Sequence, residues 1–347
     1  MNSRFGSRAH SLTLVALVIL LAVVLSFMAP HQFPTLINMQ SMLGQIAPLG
    51  ILAICIGLTF LIGGIDLSIV AVANGAAVTV ALVTNALAPS MGGAAVLVAL
   101  LAGFAVGLLA GFVNGYLVAT LRVHPIPITL GTMSVYTGIT TGITKGATVY
   151  GTGALSGLAT ATLAAIPLPF IIFLLAVLAF SILTTRTERG FQAYAVGEST
   201  KVARFARMPV ERVQISVYVC SGGLAAFAGI LMFANTNAAN VSFGSSYLMQ
   251  AILVAVISGI DPYGGTGRIS MIIFGALAMQ ELQTGINMVL GGWGGSAFAA
   301  NFIWGVILIA VLGLSRWLSI RESNKRHSVA EEAITESEET AESQQPA

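Results

Sequence analysis

Residues 92–119 read GGAAVLVALLAGFAVGLLAGFVNGYLVA, a run without a single charged side chain. A helix needs about 20 mainly apolar residues to cross the hydrocarbon core of a bilayer, so this run is long enough to span a membrane. The rest of the chain has a similar composition, because 56% of its 347 residues are hydrophobic and only 8% are charged. Soluble domains carry roughly 25% charged residues, so the sequence predicts a membrane protein.

Ten apolar runs of this kind predict an all-α, polytopic transmembrane helical bundle of about ten helices. Several runs contain glycine, which a bundle tolerates because small residues let helices approach closely. The first run follows Arg4 and Arg8, as in a secretory signal peptide, but it exceeds the ~7–15 apolar residues of such a peptide and is interpreted as a transmembrane helix. The ten runs lie at approximately 11–29, 44–62, 67–87, 92–119, 128–145, 168–185, 213–235, 246–260, 269–290 and 296–317.

The basic residues predict the orientation of the bundle. With the amino terminus in the cytoplasm, the ten spans place all 15 Lys and Arg residues except Lys145 on the cytoplasmic side. Basic loops are retained in the cytoplasm, and the opposite orientation would invert this bias, so both termini are predicted to be cytoplasmic. The chain then consists of a cytoplasmic amino terminus at 1–10, a transmembrane domain at 11–317 and a cytoplasmic tail at 318–347. The tail is acidic and polar, a composition that predicts disorder.

The longest polar connection between spans, residues 186–212, is basic and lies on the predicted cytoplasmic side. Within it, residues 199–208 carry Val202, Phe205 and Ala206 near helical spacing. We expect a short amphipathic helix there, closed by Pro209.

Catalytic chemistry is not indicated. Outside the tail and the basic connection, the acidic residues are Asp66, Asp261 and Glu281, and neither they nor the four histidines have the spacing of metal ligands. No lysine follows a glycine, so the usual phosphate-binding loop is absent from the sequence and a nucleotide would be bound by another subunit. The sequence thus predicts a transport or scaffold protein and not an enzyme.

An ion-coupled secondary transporter of a small polar solute is one alternative. Such transporters rely on ionisable groups within the membrane, and Glu281 lies near the middle of a predicted span. Glu281 could be a coupling carboxylate, or it could make a structural contact with a neighbouring glutamine or helix.

The predicted spans offer uncharged hydrogen-bonding side chains instead. Amides and hydroxyls of this kind suit a neutral sugar or polyol, although each of them could equally bond helix to helix. The candidate residues of a solute pathway are Asn74, Asn114, Thr132, Tyr136, Gln280, Gln283 and Asn287.

Three blocks of sequence carry a family resemblance. Residues 57–68 read GLTFLIGGIDLS, with Gly63, Gly64, Asp66 and Ser68 as the most characteristic positions. The second block joins GFVNGY at 111–116 to TLGTMS at 129–134, and the third joins YAVG at 194–197 to VQISVY at 213–218. In this order the blocks resemble the permease family of bacterial importers for ribose and related monosaccharides, within the ATP-binding-cassette transporters.

The resemblance implies a permease subunit in the bacterial inner membrane that binds no cofactor, ATP being used by a partner subunit. It implies three partners: an ATPase subunit, an extracytoplasmic solute-binding protein, and a second permease copy or a sister permease. In the family, a helix of the cytoplasmic loop couples the ATPase to the bundle. Carried over to this chain, the coupling residues are Glu198, Lys201, Arg204, Phe205, Arg207 and Met208. Asp66 is expected to be structural, its carboxylate bonding backbone amides at the start of the third span.

Several segments depart from the pattern of the family, among them the Glu198–Lys201 stretch and the Pro125–Pro127 turn. The family often has Ser-Gly-Ile where this chain has Ala206, Arg207 and Met208. Residues 259–268, GIDPYGGTGR, replace a more frequent Gly-Gly-Thr-Ser version. This variant resembles a subgroup that includes autoinducer-2, rhamnose and polyol systems.

Overall fold

The computed structural model describes residues 3–121 and 123–290, with a few further residues between 302 and 313. The chain divides into two compact units, Met1–Asn301 and Phe302–Ala347, and the description below concerns the first. Most of the tenth predicted run at 296–317 and all of the tail at 318–347 lie outside the described residues, as does Arg122.

The described part of the first unit is helical apart from short turns and two small antiparallel ladders. In the ladders, β1 (Val149–Tyr150) pairs with β4 (Ala238–Ala239), and β2 (Thr162–Leu163) pairs with β3 (Ile166–Pro167). The helices are α1 (Ser3–Met28), α2 (Leu36–Leu61), α3 (Ile69–Met91), α4 (Ala94–Leu121), α5 (Pro125–Thr144), α6 (Ser156–Thr160), α7 (Leu168–Arg186), α8 (Glu188–Glu198), α9 (Thr200–Phe205), α10 (Val210–Thr236), α11 (Tyr247–Ile257) and α12 (Ile272–Leu290), the last preceded by a 3₁₀ turn at Ile269–Met271.

Seven helices among the described residues are long and apolar enough to cross a membrane, which confirms a polytopic all-α bundle. They are Ser11–Met28, Leu36–Leu61, Ile69–Met91, Ala94–Leu121, Leu168–Arg186, Val210–Thr236 and Ile269–Val289, and they correspond to the first four, the sixth, the seventh and the ninth predicted runs.

Two predicted runs are helical but fall short of a membrane span. Helix α5 has 20 residues, but its composition is too polar to qualify. Helix α11 has only 11 residues, or about 16 Å at 1.5 Å per residue, against a hydrocarbon core of about 30 Å. A count of ten spanning helices is therefore not reached among the described residues.

Helix α2 begins at Leu36, earlier than the predicted start near residue 44. Thr35 caps it, since its Oγ1 accepts a hydrogen bond from the Asn38 N–H at 3.2 Å. The first turns contain Asn38, Gln40 and Gln45. Because these residues are polar, the apolar run in the sequence begins later than the helix does.

The core of the unit is formed by α2, α3 and α10, whose spanning windows are the most buried. Helix α4 packs on α10 and α3 through glycines four residues apart. A Cβ at Gly107, Gly111 or Gly115 would collide with atoms of α10, and one at Gly103 would meet Val80 and Ala76 of α3. Close backbone contact of this kind is how helices associate within a membrane.

The two ends of the bundle agree with the predicted alternation of the spans. At one end, the Leu61 carbonyl accepts from the Gly265 N–H at 3.1 Å, joining connections that were predicted to share a side. At the other end, β1 pairs with β4, and Gln40 Nε2 donates to the Ala165 carbonyl at 2.9 Å. We name the first the basic end, because the connection between α7 and α10 lies there, and the second the opposite end.

Candidate functional site

The connection between α7 and α10 folds into two helices. Thr187 ends α7 and caps α8, its Oγ1 accepting from the Gly190 N–H at 3.2 Å. Ser199 ends α8 and caps α9, its Oγ accepting from the Val202 N–H at 3.3 Å. The sequence predicted one helix across 199–208; α8 was missed because its side chains are mostly polar and show no clear apolar period.

Helix α9 exposes the apolar face that the sequence predicted. Val202 is 65% exposed and Phe205 is 90% exposed. Ala203 faces the other way, is only 2% exposed, and packs in a cluster with Val196 and Val210. The small residue of the helix thus packs on the bundle while its large apolar side chains point away from it.

Charged residues surround this face. Glu198, Lys201, Arg204 and Arg207 are all exposed, whereas Met208 is half-buried against the cluster. Arg204 Nη2 bonds to Glu211 Oε1 at 2.9 Å, an exposed ion pair that contributes about 1 kcal/mol at most.

The end of α9 corrects a second detail of the prediction, because the helix stops at Phe205, before Pro209. Arg207 adopts a left-handed conformation with φ of 57°, and the Met208 N–H bonds back to the Ala203 carbonyl at 3.0 Å. This is the Schellman end of a helix, where glycine is the favoured residue. Arg207 stands where the resembled family often has glycine, so the chain places a side chain in a conformation that glycine would adopt more easily.

The basic end is held together by direct backbone contact. A Cβ on Gly197, near the end of α8, would collide with the Leu61 carbonyl and the Gly265 N–H. The Tyr194 hydroxyl donates to the Gly267 carbonyl at 2.8 Å, and burial raises the pKa of Tyr194, which keeps the hydroxyl protonated. We name this region, residues 61–63, 194–197 and 264–267, the basic-end junction. Sequence reasoning assigned no role to Tyr194 or Gly197, although both lie in the third block of the resemblance.

Asp66 is at the centre of a buried polar network beside the junction. Its Oδ1 accepts from the Ser68 N–H at 3.0 Å and from the Ser68 hydroxyl at 2.7 Å. Asn114 Nδ2 donates to the Asp66 carboxylate at 3.3 Å and to Ser68 Oγ at 2.7 Å, and the Tyr136 hydroxyl donates to Asn114 Oδ1 at 3.0 Å. The network ties the start of α3 to α4 and α5, and the bond from the Ser68 N–H is of the kind expected for a structural Asp66.

The buried position of Asp66 changes the acidity of its carboxyl. Burial raises the pKa of the Asp66 carboxyl, and the hydrogen bonds from Ser68 and Asn114 lower it in part.

Gln280 and Asn287 belong to a different part of the bundle from Asn114 and Tyr136. Gln280 Nε2 donates to Gln45 Oε1 at 3.2 Å and to Thr284 Oγ1 at 3.4 Å. A cleft of about 430 Å³ lies above this contact, lined by Gln32, Asn38, Met42, Gln45, Thr284, Asn287 and Met288.

Within the described residues, the remaining pathway candidates do not join either group through hydrogen bonds. Thr132 is buried and bonds to the Thr129 carbonyl within α5 at 3.3 Å. Gln283 is half-buried. Asn74 Nδ2 donates to the Val241 carbonyl at 2.7 Å. The seven residues thus do not form one continuous set, and their part in a solute pathway stays a prediction.

Residues 38–312 match the family described as "Branched-chain amino acid transport system / permease component". Among curated proteins, the chain is similar to the Autoinducer 2 import system permease protein LsrD of Yersinia pseudotuberculosis serotype O:3 (strain YPIII) and of Yersinia pestis (strain Pestoides F). In both cases 32% of residues are identical over 295 residues, which cover 80% of this chain and 85% of the relative. No solved structure is significantly similar to the chain.

Proposed function

We propose a solute class and a coupling surface for this chain, which belongs to the permease-component family of branched-chain amino acid transport systems. Members of this family are membrane subunits of ATP-binding-cassette importers and are not enzymes, and this chain is accordingly an inner-membrane permease subunit. The proposed solute is a monosaccharide or a similarly small, polar and uncharged molecule. The relatives named LsrD belong to an autoinducer-2 import system, and the amide-lined cleft between α2 and α12 suits such a solute.

The observation that carries the coupling surface is the exposed apolar face of α9. Phe205 is 90% exposed at the basic end, and the exposed Lys201, Arg204 and Arg207 lie near it in the chain. A groove on an ATPase subunit would bury this face. Glu198 and Met208 flank it and would position α9 in the groove.

The assembly we propose contains more than this chain. An ATPase subunit binds and hydrolyses ATP, a solute-binding protein delivers the solute, and this chain binds no cofactor itself. A second permease copy or a sister permease completes the pathway. The exposed face of α5 supports this pairing, because a Cβ on Gly131, Gly138 or Gly142 would meet no atom of the described residues within 4 Å.

The finer topology also belongs to the proposal. We place the basic end and both termini in the cytoplasm, with about ten membrane passages in total. The bias of the basic residues supports this orientation.

The coupling surface is tested by the substitution Phe205→Asp. Interface aromatics that fill a pocket contribute about 2 kcal/mol or more, so binding of the ATPase subunit should weaken at least about 30-fold. The measurement is the amount of ATPase subunit that co-purifies with the permease from native membranes. Leu163→Asp is the matched control, since Leu163 is 68% exposed at the opposite end. Equal recovery of the ATPase with both variants would contradict the assignment.

A further inference from the structure

The connection between α10 and α11 enters the bundle. It leaves α10 near the opposite end, where Ala239 pairs with Val149. It then reaches Val241, whose carbonyl accepts from Asn74 Nδ2 at 2.7 Å. Asn74 lies in the second turn of α3, which starts at the basic end and continues from Asn74 for roughly 25 Å to Met91 at 1.5 Å per residue. The chain therefore returns deep into the bundle before α11 begins.

Helix α11 completes the return to the basic end. It ends at Ile257, and soon afterwards Gly265 bonds to Leu61 at the basic-end junction. With 11 residues, α11 covers about half of the hydrocarbon thickness. Its amino terminus consequently lies inside the membrane. We name residues 240–250 the re-entrant segment.

The re-entrant segment is not sealed from its surroundings. Ser242 and Ser245 are exposed, and Met249 is 54% exposed. Non-helical backbone at membrane depth is tolerated only where protein covers it or where it lines a water-filled cavity. Exposed serines favour the second case.

Several hydrogen-bonding groups in the first turn of α11 have no partner in the part of the chain that the structure describes. Ser246, at its N-cap, makes no side-chain capping bond. The N–H groups of Leu248 and Met249 have no acceptor among the described residues. Unpaired amides are normal at a helix end in water, but within a membrane they require a partner.

Gln250 adds an acceptor at the same place. Its side chain is 2% exposed, and its Oε1 has no hydrogen-bond partner in the described part of the chain. Helical side chains lean towards the amino terminus, so Gln250 leans towards the free amides. An unpaired buried acceptor costs about 1–3 kcal/mol. The chain thus carries a destabilising group next to unpaired donors.

We propose that the re-entrant segment is a solute-binding site for a neutral polyhydroxylated molecule, held by the free amides of α11, by Gln250 Oε1 and by the serine hydroxyls. Hydroxyl groups both donate and accept, so one such molecule satisfies the N–H donors and the Gln250 acceptor together. A carboxylate or phosphate would bind the amides but would leave Gln250 Oε1 facing an acceptor. The proposal deepens the proposed function, because this site would be a station on the permease pathway.

The test is protection of a cysteine label. Ser245→Cys is made in a chain in which Cys55 and Cys220 are replaced by Ala, and membrane vesicles are treated with a small, charged methanethiosulfonate reagent. The control is Leu175→Cys, since Leu175 is 59% exposed in the middle of α7. We expect Ser245→Cys to react and Leu175→Cys not to react. Failure of Ser245→Cys to react would overturn the water-accessible site.

Four neutral probes then test the ligand class: D-ribose, D-xylose, L-rhamnose and ribitol at millimolar concentration, with D-gluconate as the anionic comparison. At about ten times its dissociation constant, a bound probe should slow labelling about tenfold. Protection by none of the neutral probes, or by gluconate alone, would overturn the proposal.

Gln250→Leu separates binding from folding. It removes the unpaired acceptor, so the variant should unfold at a higher temperature than the parent while losing protection by the neutral probe. Gln192→Leu on α8 is the control and should keep the protection. If the neutral probe still protects Gln250→Leu from labelling, Gln250 does not bind the solute. The assay involves no ATPase, so it separates failure of this site from failure of the importer assignment.

Discussion

The basic-end junction and the re-entrant segment both lie where helices of the bundle begin or end, but they are packed in opposite ways. In the junction, glycines bring backbone against backbone, and Gly197 leaves no room for a methyl group beside the Leu61 carbonyl. In the re-entrant segment, serine side chains are exposed and Gln250 Oε1 is unpaired among the described residues. A dry contact of the first kind is suited to transmitting force from α8 and α9, and a polar region of the second kind is suited to a passing solute.

We expect Gly197→Ala to destabilise the folded protein more than any other single substitution considered below. The added methyl group collides with the Leu61 carbonyl and the Gly265 N–H, and overpacking of this kind costs about 1–3 kcal/mol. Thermal unfolding in detergent should occur at a clearly lower temperature than in the parent. Gly93→Ala is the control, because a Cβ there meets no atom of the described residues within 4 Å. Equal unfolding temperatures for the two variants would show that the junction is not tightly packed.

The stability of the folded protein is expected to depend on pH through Asp66, which lies beside the junction. Burial raises the pKa of this carboxyl in the folded protein, so the folded state binds a proton more readily than the unfolded state does. Stability from this group is complete below the unfolded pKa and is lost as the pH rises through the raised, folded pKa. Relative to Asp66→Asn, the parent should therefore become more stable as the pH is lowered through that range. A difference in unfolding temperature that does not depend on pH would contradict the burial of a titrating Asp66.

A smaller loss of stability is expected from Tyr194→Phe, which removes the hydrogen bond to the Gly267 carbonyl. Loss of one such bond costs about 1 kcal/mol. Tyr150→Phe is the matched control, since Tyr150 is 71% exposed at the opposite end. The unfolding temperature should fall for Tyr194→Phe but not for Tyr150→Phe. Equal unfolding temperatures for the two variants would show that this hydrogen bond does not stabilise the junction.

Arg207→Gly should act in the opposite direction by relieving the left-handed residue at the end of α9. Arginine at φ of 57° is less favourable there than glycine by about 1 kcal/mol. Hydrogen exchange of the Met208 amide, which bonds to the Ala203 carbonyl, should slow a few-fold in the variant. Faster exchange would mean that the Arg207 side chain stabilises the turn.

Glu281→Gln is expected to have the smallest effect of these substitutions, and the quantity measured is solute uptake. Glu281 is 8% exposed, and its Oε2 has no partner within the described residues. An ion-coupled carrier would need this carboxylate, whereas an ATP-driven permease would not. Solute uptake by the variant should therefore be close to that of the parent, and its abolition would revive the ion-coupled alternative.

Composition and apolar length were enough to predict the seven long spans, because each contains a run that can cross the bilayer without help from its neighbours. They did not predict the break in the eighth span. Residues 246–260 are apolar enough to suggest a full helix, and only the contact of Val241 with Asn74 reveals that the chain is already deep in the bundle when α11 begins. The depth of a segment depends on long-range packing, which a local pattern does not contain.

The exposed apolar face of α9 was predicted from the sequence, whereas the residues that hold α8 against the basic-end junction were not. Val202 and Phe205 stand at a helical spacing that predicts an apolar face, and both are exposed. Tyr194 and Gly197 gave no comparable signal, since their role depends on contacts with Leu61, Gly265 and Gly267, which are distant in sequence.

The assignment as an importer permease is tested by isolating the unmodified protein from its native membrane. We expect a nucleotide-binding subunit to co-purify and its ATP hydrolysis to rise when a solute-loaded binding protein is added. Recovery of the chain alone from intact membranes, with no associated ATP hydrolysis, would overturn the assignment.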